Sequence, residues 1–142
     1  MMRYHYLAFL ALCLGCADST EPLPEPRFDT AAKEYVLPAG HNPAPISYTI
    51  HNKGSEAIYV DRCGGFISAM YERLEGGKWE PVGGGACQAD RLSWPWTILS
   101  GEAHQGMVHI FRPGIYQLVI HAADVPDHNQ AYHLRSNIFV VR

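Results

Sequence analysis

The sequence predicts an all-β fold, a sandwich of about seven to eight short strands. One observation is composition. The apolar runs are short, rich in Val, Ile, Tyr and Phe, and separated by single glycines and prolines, 13 and 10 of them, which suits many strands joined by turns. A second is periodicity: 46–51 and 115–121 alternate apolar and polar residues, the period of a half-buried strand. The third is the lack of helical patterning beyond Phe28. The best helix candidate, Thr30 to Tyr35, is short and stops before Pro38.

The chain opens with an export signal. Arg3 supplies a basic start, Leu7 to Leu14 is uninterruptedly apolar, and Gly15-Cys16 follows. The apolar run is too short for a bilayer, which needs about 20 residues, but it has the length and flanks of a secretory signal. The segment Cys13-Leu14-Gly15-Cys16 resembles the cleavage region of bacterial lipoprotein signals, with Cys13 standing where Leu is usual. That resemblance implies that residues 1–15 are removed, that Cys16 carries a diacylglycerol, and that membrane lipid is a partner. More than one acyl chain gives durable anchoring. Ala17 rather than Asp after the cysteine points to the outer membrane or a periplasm-facing site. The alternative is ordinary cleavage at Gly15 or Ala17, which releases a soluble secreted protein. In residues 16–27 the prolines Pro22, Pro24 and Pro26 alternate with other residues, which favours an extended spacer between lipid and domain.

The domain then covers 28–142. Glu34 to Leu37 reads as a short strand. In the strand from Ile46 to His51, Ile46, Tyr48 and Ile50 share one face, and Asn52 to Ser55 turns the chain. Ala57 to Arg62 and Ala69 to Leu74 follow, then Gly76-Gly77 as a hairpin turn into Lys78 to Val82. Trp96 to Leu99 is a further strand. Gly106 to Phe111 sets Val108 and Ile110 against Met107, His109 and Phe111. After Pro113-Gly114, Ile115 to His121 sets Tyr116, Leu118 and Ile120 on one face. Residues 122–130 form a polar loop, and Asn137 to Val141 closes the domain.

Four stretches in this order resemble bacterial immunoglobulin-like domains of exported proteins: Ile46 to Asn52, Trp79 to Val82, Leu99 to Glu102, and Arg112 to Tyr116. The resemblance implies an immunoglobulin-like β-sandwich from roughly Tyr35 to Val141, with Tyr116 as a corner tyrosine bonding back to the chain. It implies a fold and an exported setting, not an activity.

With Cys13 discarded and Cys16 lipidated, Cys63 and Cys87 remain as a single pair in an oxidising compartment, and a disulfide is expected. It would close a loop of about 25 residues, worth roughly 3–3.5 kcal/mol. Two buried free thiols are the alternative. In Leu92 to Trp96, two tryptophans flank a proline. Trp94 and Trp96 either close one end of the core or form a surface for a sugar or a partner's apolar side chains.

Little else suggests chemistry. The loop 121–133 gathers His121, Asp124, Asp127, His128 and His133, but without a recognisable ligand spacing. Ser47, Ser68, Ser93 and Ser100 lack a nucleophile elbow, and the glycine runs lack the residues of a phosphate loop. No cofactor or metal is expected. The formal charge is −3, or about −4 once Arg3 is removed, with no basic cluster, which argues against nucleic acid. The expectation is a non-enzymatic, lipid-anchored module of the cell envelope that contacts protein or glycan or serves as an accessory subunit. The alternatives are a protease inhibitor presenting residues 83–96, or a secreted sandwich binding glycan or metal.

Overall fold

In the computed structural model the described residues are 25–40, 42–84, 95–126 and 131–142. Every regular element among them is a strand: β1 Arg27–Thr30, β2 Glu34–Tyr35, β3 Ala44–His51, β4 Ile58–Val60, β5 Arg62–Cys63, β6 Phe66–Ile67, β7 Met70–Glu75, β8 Lys78–Gly84, β9 Trp96–Ile98, β10 Ala103–Ile110, β11 Gly114–Ala123, β12 Ala131–Arg135 and β13 Phe139–Val141. The alternation read from the sequence sets the two layers. Ala44, Ile46, Tyr48 and Ile50 of β3 are buried, as are Tyr116, Leu118, Ile120 and Ala122 of β11. These two rows face each other as the centre of one core.

One sheet has the order β1-β3-β10. The other is built around β11. Along one side of β11 lie β13 and then β12, both antiparallel to it. Along the other lie β7 and then β4. Beyond these come β8 against β7, β9 against β4, and β2, parallel to β13. Counted by position rather than by segment, this is an eight-position sandwich. The chain changes sheet after β1, β2, β3, β9 and β10, the repeated cross-over between two packed sheets of an immunoglobulin-like fold.

The paired segments β4 and β7 occupy one strand position that is interrupted. Val60 lies opposite Ala122 and Met70 opposite Val119, so residues 61–69 face only Ile120 and His121. The surplus is extruded, and β5 and β6 pair within it as a small hairpin. The next position breaks at the same level: β8 ends with Gly84 opposite Met70, and β9 begins with Trp96 opposite Val60.

Two turns show how local chemistry fixes register. Gly76 and Gly77 have φ of 55° and 80° and join Glu75 to Lys78, the two-residue hairpin that needs left-handed backbone at both central positions. At the start of β11, the Tyr116 hydroxyl donates to the Arg112 carbonyl at 2.9 Å. Its ring stacks on Phe139, 6.0 Å between centroids, and meets Tyr71 edge-on. The expected corner tyrosine is therefore present. Tyr116→Phe keeps the ring but strips a bond from the Arg112 carbonyl. It should lower the unfolding free energy by about 1–2 kcal/mol, and an unchanged urea midpoint would refute the tie.

The outward face of β11 departs from simple alternation, since Gln117 and Val119 are also buried. A central strand has neighbours on both sides, and their long side chains cover its outer row. Gln117 is satisfied there by its cross-strand partner Glu72, which accepts from the Gln117 amide.

Candidate functional site

A sandwich is open along the side where its two edge strands face each other without pairing. Here those edges are β10 of the smaller sheet and β8 with β9 of the larger one. The two ends of this side are finished differently.

At the end near His104, Trp96 spans the gap. It projects from β9 and its ring lies 4.6 Å from that of His104. The Arg62 guanidinium also lies over the Trp96 ring, 5.8 Å from its centroid, a cation–π arrangement. Trp96 is half-buried and packs on the core, so it closes the core here. Trp94 lies outside the described residues. Burial in this stack lowers the His104 pKa from its ordinary 6.5. The unfolded chain therefore takes up a proton at a pH where the folded one does not. The folded state has its full advantage above about pH 6.5 and loses it as pH falls through that value toward the lower folded pKa. His104→Gln should flatten this acid limb. Equal loss of stability in wild type and variant between pH 8 and pH 5.5 would contradict it.

Toward Ile110 no side chain bridges the sheets among the described residues, and a furrow runs between them. One section, of about 330 Å³, is lined by Ile67, Ala69, Tyr71 and the edge of β10 from Met107 to His109. An adjoining section of about 370 Å³ shares Tyr71 and Phe111, adds Val82 and Ile110, and is polar at its far end, where Arg73 and Arg112 line it. The rim of the first section is apolar and exposed: Phe66 is 70% exposed, Phe111 64% and Met107 54%. The extruded hairpin carries Phe66, and the alternation of β10 turns Met107 outward because Val108 and Ile110 face the core. Several such side chains around one cleft are more than scattered surface apolars.

The histidine loop comes together only in part. His121 and His133 are cross-strand partners with rings 4.6 Å apart, and His121 Nδ1 is 3.4 Å from an Asp61 carboxylate oxygen. Tyr132 is pushed up to about 12 by burial and by Asp124 beside it. Asp127 and His128 lie outside the described residues. Among the described residues no set of three or more His, Cys, Asp or Glu is arranged to hold a metal ion. Cys63 sits on β5 and its sulfur is not a free thiol, while Cys16 and Cys87 lie outside the described residues, as does most of the 83–96 segment. Ser100 serves a turn, donating to the Gly54 carbonyl at 2.7 Å.

The furrow is what the sequence reading missed. Its partial signal was the outward row of Met107 and Phe111, large apolar side chains opposite an apolar row already assigned to the core.

No protein-family model matches the chain, and no curated protein does either. Among solved structures it is similar to the putative ApaA protein from Bordetella pertussis, with a TM-score of 0.46 and 16% identity over 84% of this chain and 95% of that one. It is also similar to the ASH/PapD-like domain 7 of human CEP192, with a TM-score of 0.41 and 8% identity over 99% of this chain and 96% of that one.

Proposed function

We propose that this is an exported, lipid-anchored and non-enzymatic module of the cell envelope that binds a protein partner along the open side of its sandwich. The exposed apolar rim of Phe66, Met107 and Phe111 around one furrow carries the reading. Such a cluster is costly to leave in water and marks a contact surface. A lipid on Cys16 and the proline-rich residues that follow would hold the domain at a membrane while leaving that side accessible.

A Cys63–Cys87 bond belongs to the same reading. Cys63 lies in the excursion between β4 and β7, and Cys87 falls in sequence between Gly84 and Trp96, whose partners Met70 and Val60 flank that same excursion. The described ends of the two segments leave adjacent strand positions at one level, which supports a staple between them, and that staple would brace the hairpin that carries Phe66.

Metabolic labelling with a radiolabelled fatty acid tests the anchor. Wild type should take up label and sediment with membranes, and Cys16→Ala should do neither. Label retained by the variant would remove the anchor from the proposal. In the same preparation, Cys63 and Cys87 should resist maleimide until the protein is reduced.

A further inference from the structure

We infer that the partner is held as an extended strand, added antiparallel or parallel to the edge of β10 that pairs with no strand among the described residues, with every second side chain entering the furrow. This rests on the binding-module reading above and specifies what that surface takes.

The hydrogen-bonding sides of β10 follow from its neighbours. Asn52 N donates to the Glu102 carbonyl at 3.0 Å, and Ala31 N donates to the Ser47 carbonyl at 2.9 Å. In an antiparallel ladder the bonding side alternates residue by residue. The even residues of β3 thus bond β10, and the odd ones bond β1. With Tyr48 opposite Gly106, the even residues of β10 face β3. The amides and carbonyls of Ala103, Gln105, Met107 and His109 point away from the sheet, as a regular row of donors and acceptors.

Edges of this kind are normally blunted by short length, charge, proline or a bulge. The other described edges show these devices. Strand β8 carries Lys78, Glu80 and Pro81 and a register shift. Strand β1 carries Arg27 and Asp29, β12 ends in Arg135, and β2 and β9 are very short. Strand β10 has none of them: Ala-His-Gln-Gly-Met-Val-His-Ile is long, pairs regularly with β3 throughout, and lacks proline, acid, lysine and arginine. A protein that guards its other described edges and leaves this one plain, next to a furrow with an apolar floor, is built for strand addition.

The furrow also decides the occupant. A second copy pairing β10 to β10 would continue the sheet, but its own inward row, His104, Gly106, Val108 and Ile110, already faces its own core. It has no side chains free to enter the space over Ile67, Ala69 and Tyr71. A separate extended segment has them. Its side chains on the core side would meet that apolar floor, and those on the other side would lie beside Met107. Strands alternate with period two, so the recognised chemistry is a segment with small or medium apolar residues, such as Val or Ile, at every second position.

The test uses the full chain in detergent and a fluorescein-labelled peptide, Lys-(Thr-Val)4-Thr-Lys, read by anisotropy. Wild type should bind it saturably. A peptide of the same composition with its valines in one block should bind at least tenfold more weakly. Met107→Pro removes an outward amide without touching the ladder to β3, and Phe66→Asp charges the rim at an exposed position. Each should weaken binding at least tenfold while leaving the thermal midpoint within a few degrees. No saturable binding by wild type, or binding by both variants as tight as that of wild type, overturns the inference. A dimer in sedimentation that Met107→Pro disperses and the peptide does not displace overturns it in favour of self-pairing. The broader reading is tested separately, by a photo-crosslinking residue at Phe111 in cells. A specific envelope adduct with no peptide binding leaves a binding module that does not use an added strand. Failure of both removes the module as well.

Discussion

Gly106→Ala is expected to destabilise the domain by about 3 kcal/mol, the upper part of the range for overpacking a well-filled core. A methyl group there would sit 2.2 Å from the Tyr48 hydroxyl oxygen and 2.3 Å from the ring carbon that bears it. Gly106 and Tyr48 are directly opposed across β10 and β3, and the tyrosine ring lies flat over the glycine. That ring has nowhere to go: it is 3% exposed, and Phe28 meets it edge-on at 5.3 Å. Gly83 offers an internal comparison. It lies opposite Tyr71 in the same fashion, with a built methyl 2.3 Å from the ring, but Tyr71 lines the furrow and can swing outward, so Gly83→Ala should cost much less. Replacing Tyr48 by leucine should remove most of the Gly106→Ala penalty in a double-mutant cycle. Additive penalties by chemical denaturation would show that the ring is not the obstacle.

Asn52→Asp should be at least as damaging, by about 3–5 kcal/mol near neutral pH, the scale of an uncompensated buried charge. Asn52 is 1% exposed at the end of β3. Its amide nitrogen donates to the Glu56 carbonyl at 2.7 Å and the Ile98 carbonyl at 2.9 Å, and its side-chain oxygen accepts from Gly54 N at 3.1 Å. One side chain thus ties the turn after β3 to the end of β9. An aspartate would aim oxygen at two carbonyl oxygens, and only its protonated form could donate to either. The folded state would therefore hold a proton that the unfolded chain has shed, raising the carboxyl pKa. The penalty is full above that raised value and disappears below the ordinary carboxylate range. Asn52→Ala should lose about 2–3 kcal/mol with no such dependence. Urea midpoints for both variants at pH 7 and pH 4 decide it, and parallel behaviour at the two pH values would refute the argument.

Asn52 and Tyr116 were both visible in the sequence as punctuation, a strand ending in Asn before a turn and a tyrosine after Pro-Gly. The structure supplies the reason, because each spends its polar atoms on backbone that the turn leaves unpaired. Alternation in 46–51 and 115–121 was equally legible, since a residue every second position must face the core. What failed was short or weakly patterned. Strand β1 offers only Phe28 to the core, and β12 only Tyr132 and Leu134 at its margin, too few apolar positions for a period to stand out. The single strand expected from Ala57 to Arg62 ends at Val60 because the chain leaves the ladder there, a tertiary event with no local signal. The furrow was illegible for the same kind of reason. It is made by Phe66, Tyr71, Val82 and Phe111 meeting across two sheets, and no window of sequence contains that encounter.

The interruption between Val60 and Met70 has a consequence for how this domain can vary. Both sides of the gap bond to the same partner strand, so the scaffold specifies where the chain must depart and return but not how far it wanders meanwhile. Lengthening such a detour costs little, since closure entropy grows only logarithmically. Chimeras that lengthen or shorten the detour at its hairpin tip, while keeping the buried Ile67 and Ala69, should preserve the corner at Tyr116 and the core, which makes that tip a natural place to diversify what the domain grips.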